Sequence, residues 1–172
     1  MTSLNKKVCL LGDAAVGKTS LVRRFVYNLF DDKYLSTIGV KVSRKTVVVP
    51  RADGVVELTM MLWDLAGSEE FDRVRSSYLR GAAGALLVCD LTRPETLDSL
   101  RVYAANLRSV NPNAQMLVLG ANKYDLVDPQ MLDLTPIERA AADLNAPYYL
   151  VSAKTGYEVE NLFRHLGQLL AA

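Results

Sequence analysis

Eight consecutive residues, Gly12-Asp13-Ala14-Ala15-Val16-Gly17-Lys18-Thr19, set two glycines, a lysine and a hydroxyl at the spacing of a phosphate-binding loop. That spacing serves the capture of a polyanion. Backbone N–H groups must converge on the phosphates, which a tight turn running into a helix N-terminus allows. Gly17 permits the turn, Lys18 reaches the outer phosphates, and the Thr19 hydroxyl is placed to ligate a magnesium ion bridging them. The plain alternative is a glycine turn with an incidental lysine, and the flanks argue against it. Val8 to Leu11 form an apolar run of buried-strand type, and Leu21, Val22, Phe25 and Val26 follow at helical spacing. Strand, loop and helix come in the required order, so the chain is expected to bind a nucleotide.

In an open α/β sheet, ligands bind beyond the carboxyl ends of the strands, and three further motifs fall at such ends. Trp63-Asp64-Leu65-Ala66-Gly67 closes the third strand. There Asp64 holds magnesium, directly or through water, and Gly67 offers a backbone N–H to the terminal phosphate. Asn122-Lys123-Tyr124-Asp125 closes the fifth strand and identifies the base. The Asp125 carboxylate accepts from both N1–H and the exocyclic amine of guanine, whereas adenine offers no such adjacent pair of donors. Ser152-Ala153-Lys154, after the sixth strand, supplies a backbone N–H for the guanine carbonyl, with Lys154 closing over the ring. Alone, residues 122–125 also read as a polar loop; four motifs in order, each at a strand end, do not read as coincidence.

The elements that must carry these motifs alternate. Strands are predicted near 7–11, 41–50, 55–64, 83–90, 115–122 and 147–152, and helices near 17–27, 69–80, 95–109, 136–145 and 156–171. The pattern predicts an α/β fold, a six-stranded, mostly parallel sheet with about five helices on both faces. Only Arg51-Ala52-Asp53-Gly54 separates the second and third strands, which is hairpin length and makes one edge strand antiparallel. In the last helix Val159, Leu162, Phe163, Leu166, Leu169 and Leu170 share one face. His165, the only histidine, lies off that stripe and is expected at the surface.

At 172 residues the chain suits one domain. Twenty basic against 19 acidic residues leave a formal charge of +1, which argues for neither nucleic acid nor an anionic membrane surface. Cys9 and Cys89 lie inside apolar runs and read as small hydrophobes rather than a disulfide. The start lacks the apolar core of a signal peptide, and no run is long enough to span a bilayer. Residue 2 is Thr and no cysteine stands near the end, so no lipid anchor is visible. The expectation is a soluble cytoplasmic protein, with peripheral membrane association through partners left open.

With Ser36-Thr37-Ile38-Gly39-Val40 and Tyr78-Leu79-Arg80-Gly81-Ala82 added, the chain resembles the Ras-like superfamily of small GTPases, nearest its Rab-type branch, over nearly its whole length. The resemblance implies a P-loop NTPase G domain over 1–172 that binds GTP or GDP with Mg2+ and hydrolyses GTP. It implies two switch segments, about 30–40 and 65–78, which order around GTP and relax after hydrolysis. Thr37 would ligate Mg2+ through its hydroxyl and touch the terminal phosphate through its backbone. Phe30 would pack against the base and Tyr34 would cover the phosphates. Asp13, Ala14, Ala15, Val16, Gly17, Lys18, Thr19 and Ser20 would line the nucleotide with Gly67, Asn122, Lys123, Asp125, Ser152, Ala153 and Lys154. For Phe30 a hydrophobic staple after the first helix is the alternative. Trp63 reads either as a core aromatic or, with Tyr78, as part of a patch receiving effectors, an exchange factor and an activating protein. Val42 departs from the aromatic expected as the third member of that patch.

The candidate catalytic residues are Lys18, Thr37, Gly67 and Ser68. Ser68 stands where such proteins carry the glutamine that positions the attacking water, and its side chain is shorter and lacks a carboxamide. Slow intrinsic hydrolysis follows as an expectation. No arginine precedes Thr37 in the first switch, where Lys33 is the nearby cation, so an external arginine is expected to supply transition-state charge. The effect of Ala14 and Ala15 on such an arginine stays open. The alternatives are a hydrolysis-poor guanine-nucleotide-dependent binding module and a G domain belonging to a larger protein. An ATP-dependent kinase is disfavoured by Asp125.

Overall fold

The structure is a computed structural model that describes residues 2–31, 39–65, 72–114 and 116–172, with the backbone alone over 72–75. The predicted alternation is present. Strands run over β1 (Thr2–Leu11), β2 (Val40–Arg51), β3 (Gly54–Leu65), β4 (Ala82–Asp90), β5 (Met116–Asn122) and β6 (Tyr148–Leu150). Helices run over α1 (Lys18–Tyr27), α2 (Asp72–Leu79), α3 (Glu95–Val110), α4 (Thr135–Leu144) and α5 (Val159–Ala171). The sheet order is β2-β3-β1-β4-β5-β6, with β2 antiparallel to β3 and the other pairings parallel.

Helices on both faces explain the sequence of the central strands. β4 and β5 are buried almost throughout and so read as continuous apolar runs rather than alternating ones. On one face α1 and α5 bury Leu21, Phe25, Leu162, Phe163 and Leu166 against the sheet, with the Phe25 and Phe163 rings stacked at 4.1 Å. On the other, α3 and α4 bury Leu100, Leu107, Ile137 and Leu144 with Leu79 of α2. β2, at the edge of the sheet, alternates exposed with half-buried residues over most of its length.

Four details differ from the sequence expectation. β1 begins at Thr2 rather than near residue 7, because its polar start pairs in parallel with β3 from Val56 onward. Backbone pairing extends that strand where apolar patterning gives no signal. β6 is only three residues, and α5 begins at Val159 rather than 156, because the intervening residues form turns, among them Gly156 N–H to the Ser152 carbonyl at 2.8 Å. His165 is not a plain surface residue: it is half-buried, with Nδ1 2.8 Å from the Tyr149 hydroxyl and the two rings edge to face.

Cys9 and Cys89 are buried free thiols on the α3 side of the sheet, and burial pushes both up to about 12. They pack as small hydrophobes, as their sequence context predicts. Among the described residues no helix is long and apolar enough to cross a membrane.

Candidate nucleotide site

The loop after β1 runs into α1 at Gly17, whose φ of 104° lies in the left-handed region. A Cβ there would stand 2.1 Å from the Asn122 amide nitrogen, so both conformation and space require glycine. Five consecutive carbonyls of this loop are each taken by a donor. Lys18 Nζ donates to the Gly12 and Asp13 carbonyls at 2.8 and 3.0 Å. Arg93 Nη2 donates to the Ala14 carbonyl at 2.9 Å, Lys123 Nζ to Ala15 at 2.9 Å, and Asn122 Nδ2 to Val16 at 3.0 Å. In a trans peptide the following N–H points opposite to the carbonyl. Arg93, Lys123 and Asn122, which hold the Ala14, Ala15 and Val16 carbonyls, therefore turn the N–H groups of residues 15–17 away from themselves, as an anion-binding concavity demands.

Asp13 contributes backbone to this loop, because its carboxylate is bound to α3. It accepts from Ser99 Oγ at 2.7 Å and from the Tyr103 hydroxyl at 3.1 Å.

Thr19, in the first turn of α1, donates its hydroxyl hydrogen to Oδ2 of Asp64 at the end of β3. Asp64 is buried, and its other oxygen, Oδ1, has no hydrogen-bond partner among the described residues. Burial pushes this carboxyl up, against the Thr19 hydrogen bond and the charges of Lys18 and Lys41. A buried carboxylate oxygen without a donor, beside a hydroxyl, is chemistry that suits a hard cation. Thr19 and Asp64 fit a magnesium site and would hold the ion there.

At the far end, Asn122 bridges two loops: besides its bond to Val16, its Oδ1 accepts the Ala153 N–H at 3.1 Å. Ser152 donates to Asp125 Oδ1 at 2.7 Å and accepts the Thr155 N–H at 3.1 Å. The Asp125 side chain is thereby oriented while the residue remains exposed. Tyr124 N–H donates to the Val151 carbonyl at 3.0 Å, and the Tyr124 and Tyr157 rings stack at 5.4 Å. Because the Ala153 N–H already serves Asn122, a base carbonyl would have to share it or use a neighbouring N–H.

Asp90, at the end of β4, organises the cations behind the phosphate loop. Its buried carboxylate accepts from Lys123 Nζ at 2.7 Å, Arg93 Nε at 3.0 Å and both the N–H and the hydroxyl of Thr92. Burial pushes Asp90 up, but the bonds from Lys123, Thr92 and Arg93 outweigh it and hold the carboxyl below its ordinary range.

The family model described as Ras family matches residues 7–172. The chain belongs to the Ras family. Ras-family GTPases are GTP-binding switches that bind guanine nucleotide with Mg2+, and the fold described above is that of a P-loop G domain. In this Ras-family chain the structure brings Lys18, Thr19 and Asp64 together beyond the ends of β1 and β3, and Asn122, Asp125, Ser152 and Ala153 together beyond the ends of β5 and β6. Lys123 sits on Asp90 and the Ala15 carbonyl. Lys154 is exposed, Ser20 is half-buried, and Phe30 packs partly buried against the α1–α5 core. Tyr34, Thr37, Gly67 and Ser68 lie outside the described residues, as do Lys33 and the rest of 32–38 and 66–71.

Trp63 and Tyr78 are half-buried neighbours, with ring centroids 6.2 Å apart. Lys7 Nζ lies 3.8 Å from the Trp63 ring centroid and donates to the Arg80 carbonyl at 2.7 Å. Val42, opposite Trp63 in the sheet, is exposed. The sequence reading missed Asp90, Arg93 and Arg24. Asp90 carried a usable signal, since it too is a carboxylate at a strand end facing the cleft. Arg24 carried none, because a cation within an amphipathic helix has no distinguishing pattern.

Proposed function

We propose that this Ras-family switch is of the Rab type, reads guanine through Asp125, and hydrolyses GTP slowly unless assisted. The observation that carries the guanine reading is the Asp125–Ser152 hydrogen bond, which holds an exposed carboxylate at one end of the cleft. Such a carboxylate accepts from N1–H and the exocyclic amine together, and no adenine edge offers that pair. Asp125→Asn tests it: the amide pairs with the carbonyl that xanthine carries in place of the guanine amine. The variant should lose GDP affinity and prefer XDP by about tenfold or more. Retained GDP preference would sink the assignment.

In this reading Lys18 and the N–H groups of the loop face the terminal phosphates. They stabilise charge on the equatorial oxygens as water adds to the γ-phosphorus and the bond to the bridging oxygen breaks. Mg2+, when bound, supplies positive charge shared by the outer phosphates. Thr19, Thr37 and Asp64 are its proposed ligands. Gly67 would offer its N–H to the terminal phosphate, and Ser68, in place of a carboxamide, orients water poorly. Hydrolysis is then slow until a partner inserts an arginine, a contribution of about 10³ to 10⁵ in rate.

The Rab-type assignment is supported by Tyr78-Leu79-Arg80-Gly81-Ala82 and by the Trp63–Tyr78 pair, which we propose as the docking patch for effector, exchange factor and activating protein. A cytoplasmic setting, with membrane contact through partners, accords with the two free thiols. Ser68 also favours a second reading, a switch that holds nucleotide without useful turnover. Single-turnover phosphate release with and without cell extract separates the two.

A further inference from the structure

Arg24 lies in α1, six residues past Lys18, and its guanidinium donates in three directions. Nε reaches the Ala153 carbonyl at 2.9 Å, Nη2 the Lys154 carbonyl at 2.6 Å, and Nη1 the Asn28 Oδ1 at 3.1 Å. Two of these acceptors are consecutive carbonyls of the loop that follows β6, and the third is the residue that caps α1 in the left-handed conformation. Gly156, at a φ of 86°, lies against the same side chain: a Cβ there would meet Arg24 Cδ and Nε at 3.7 Å. One planar fork thus ties the phosphate-loop helix to the 152–156 loop and to the residue that leads toward the first switch.

We infer that Arg24 is a positioning residue for base selection: by clamping the carbonyls of Ala153 and Lys154 it fixes Ser152, and through Ser152 the Asp125 carboxylate. The inference rests on the proposed guanine reading. The chain of contacts is continuous. Ser152 precedes the two clamped peptides, donates to Asp125 Oδ1 and accepts from Thr155 N–H inside the same turn. With the clamp absent, two carbonyls lose charge-assisted donors, and the turn that orients Ser152 keeps its internal bonds and the single tie from the Ala153 N–H to Asn122. The carboxylate then presents its two oxygens to the base edge less accurately, and discrimination by the exocyclic amine weakens. Because α1 also carries Lys18, the same contact makes loosening of the base loop felt at the phosphate end.

The test compares GDP with IDP, which lacks only the exocyclic amine, on the whole chain loaded with fluorescent GDP. Arg24→Ala should release GDP about tenfold faster and lower the GDP-over-IDP affinity ratio severalfold. Arg24→Lys should recover part of both, since an ammonium reaches one carbonyl at a time. Arg24→Gln, which keeps one amide donor, serves where Arg24→Ala does not fold, with the same fall in ratio expected. Faster release at an unchanged ratio would reduce Arg24 to a helix-packing role and overturn the inference, as would unchanged release. Asp125→Ala is the reference. If it leaves the ratio unchanged, the guanine reading itself fails and takes the inference with it. If it abolishes the preference while the Arg24 variants do not touch it, the Arg24 inference alone falls.

Discussion

The Thr19 hydroxyl and the Asp64 carboxylate, drawn together from the start of α1 and the end of β3, share a hydrogen bond to Oδ2 that leaves Oδ1 buried without a donor among the described residues. A buried carboxylate half satisfied in this way destabilises the protein until a cation reaches it.

Asp64→Asn therefore has opposite effects in the two states. Without nucleotide the variant should be more stable to heat, by about 1 kcal/mol, because a buried charge whose desolvation outweighs its partners is gone. With GDP bound, its release should be fast and indifferent to chelation of Mg2+, whereas chelation accelerates release from the parent about tenfold or more. Thermal unfolding and fluorescent-GDP release with and without chelator measure both.

Asp90 gives the pH dependence. Its carboxyl is held below the ordinary value, so its stabilisation is present above the unfolded pKa of about 3.9 and is lost as pH falls through the lower folded value. Asp90→Asn should cost about 2 kcal/mol near neutrality, because Lys123 and Arg93 lose a buried anion, and the gap between parent and variant should close below about pH 4. Denaturant unfolding across pH 3 to 7 follows it. A gap that persists undiminished at pH 3 would show that the carboxylate's charge is not the cause.

Ser68→Gln should restore a group able to accept from water while donating elsewhere, raising single-turnover GTP hydrolysis by about 10²-fold with nucleotide affinity unchanged. A variant no faster than the parent would remove Ser68 as the cause of slow turnover.

Gly17→Ala puts a Cβ into a left-handed position 2.1 Å from the Asn122 amide nitrogen. Asn122 would have to leave the Val16 carbonyl, so both the loop and its tie to β5 suffer. Nucleotide binding should weaken by about tenfold or more, and calorimetry with GDP reads the loss directly.

Much of this was legible in the chain because it depends on local chemistry. Glycine spacing at 12–17, apolar runs in β4 and β5, and the short link ending in Gly54 each have a backbone cause that the sequence displays. The carboxylate and amide ends of Asp64, Asn122 and Asp125 were legible because strand ends converge at one edge of a parallel sheet. What was not legible depends on partners distant in sequence. Lys123 braces the Ala15 carbonyl from Asp90, 33 residues earlier, and nothing in Asn122-Lys123-Tyr124-Asp125 records that. The start of β1 likewise owes its strand form to a neighbour, β3, rather than to its own polar residues.

The antiparallel pair β2–β3 ends with Val40 facing Leu65 across the ladder. Segments 30–40 and 65–78 thus join the sheet at opposite sides of a single rung. A one-residue slip of β2 past β3 would turn Val42 to the face opposite Trp63. Val40 and Leu65, the described roots of the two proposed segments, are thereby fixed to one another across the sheet.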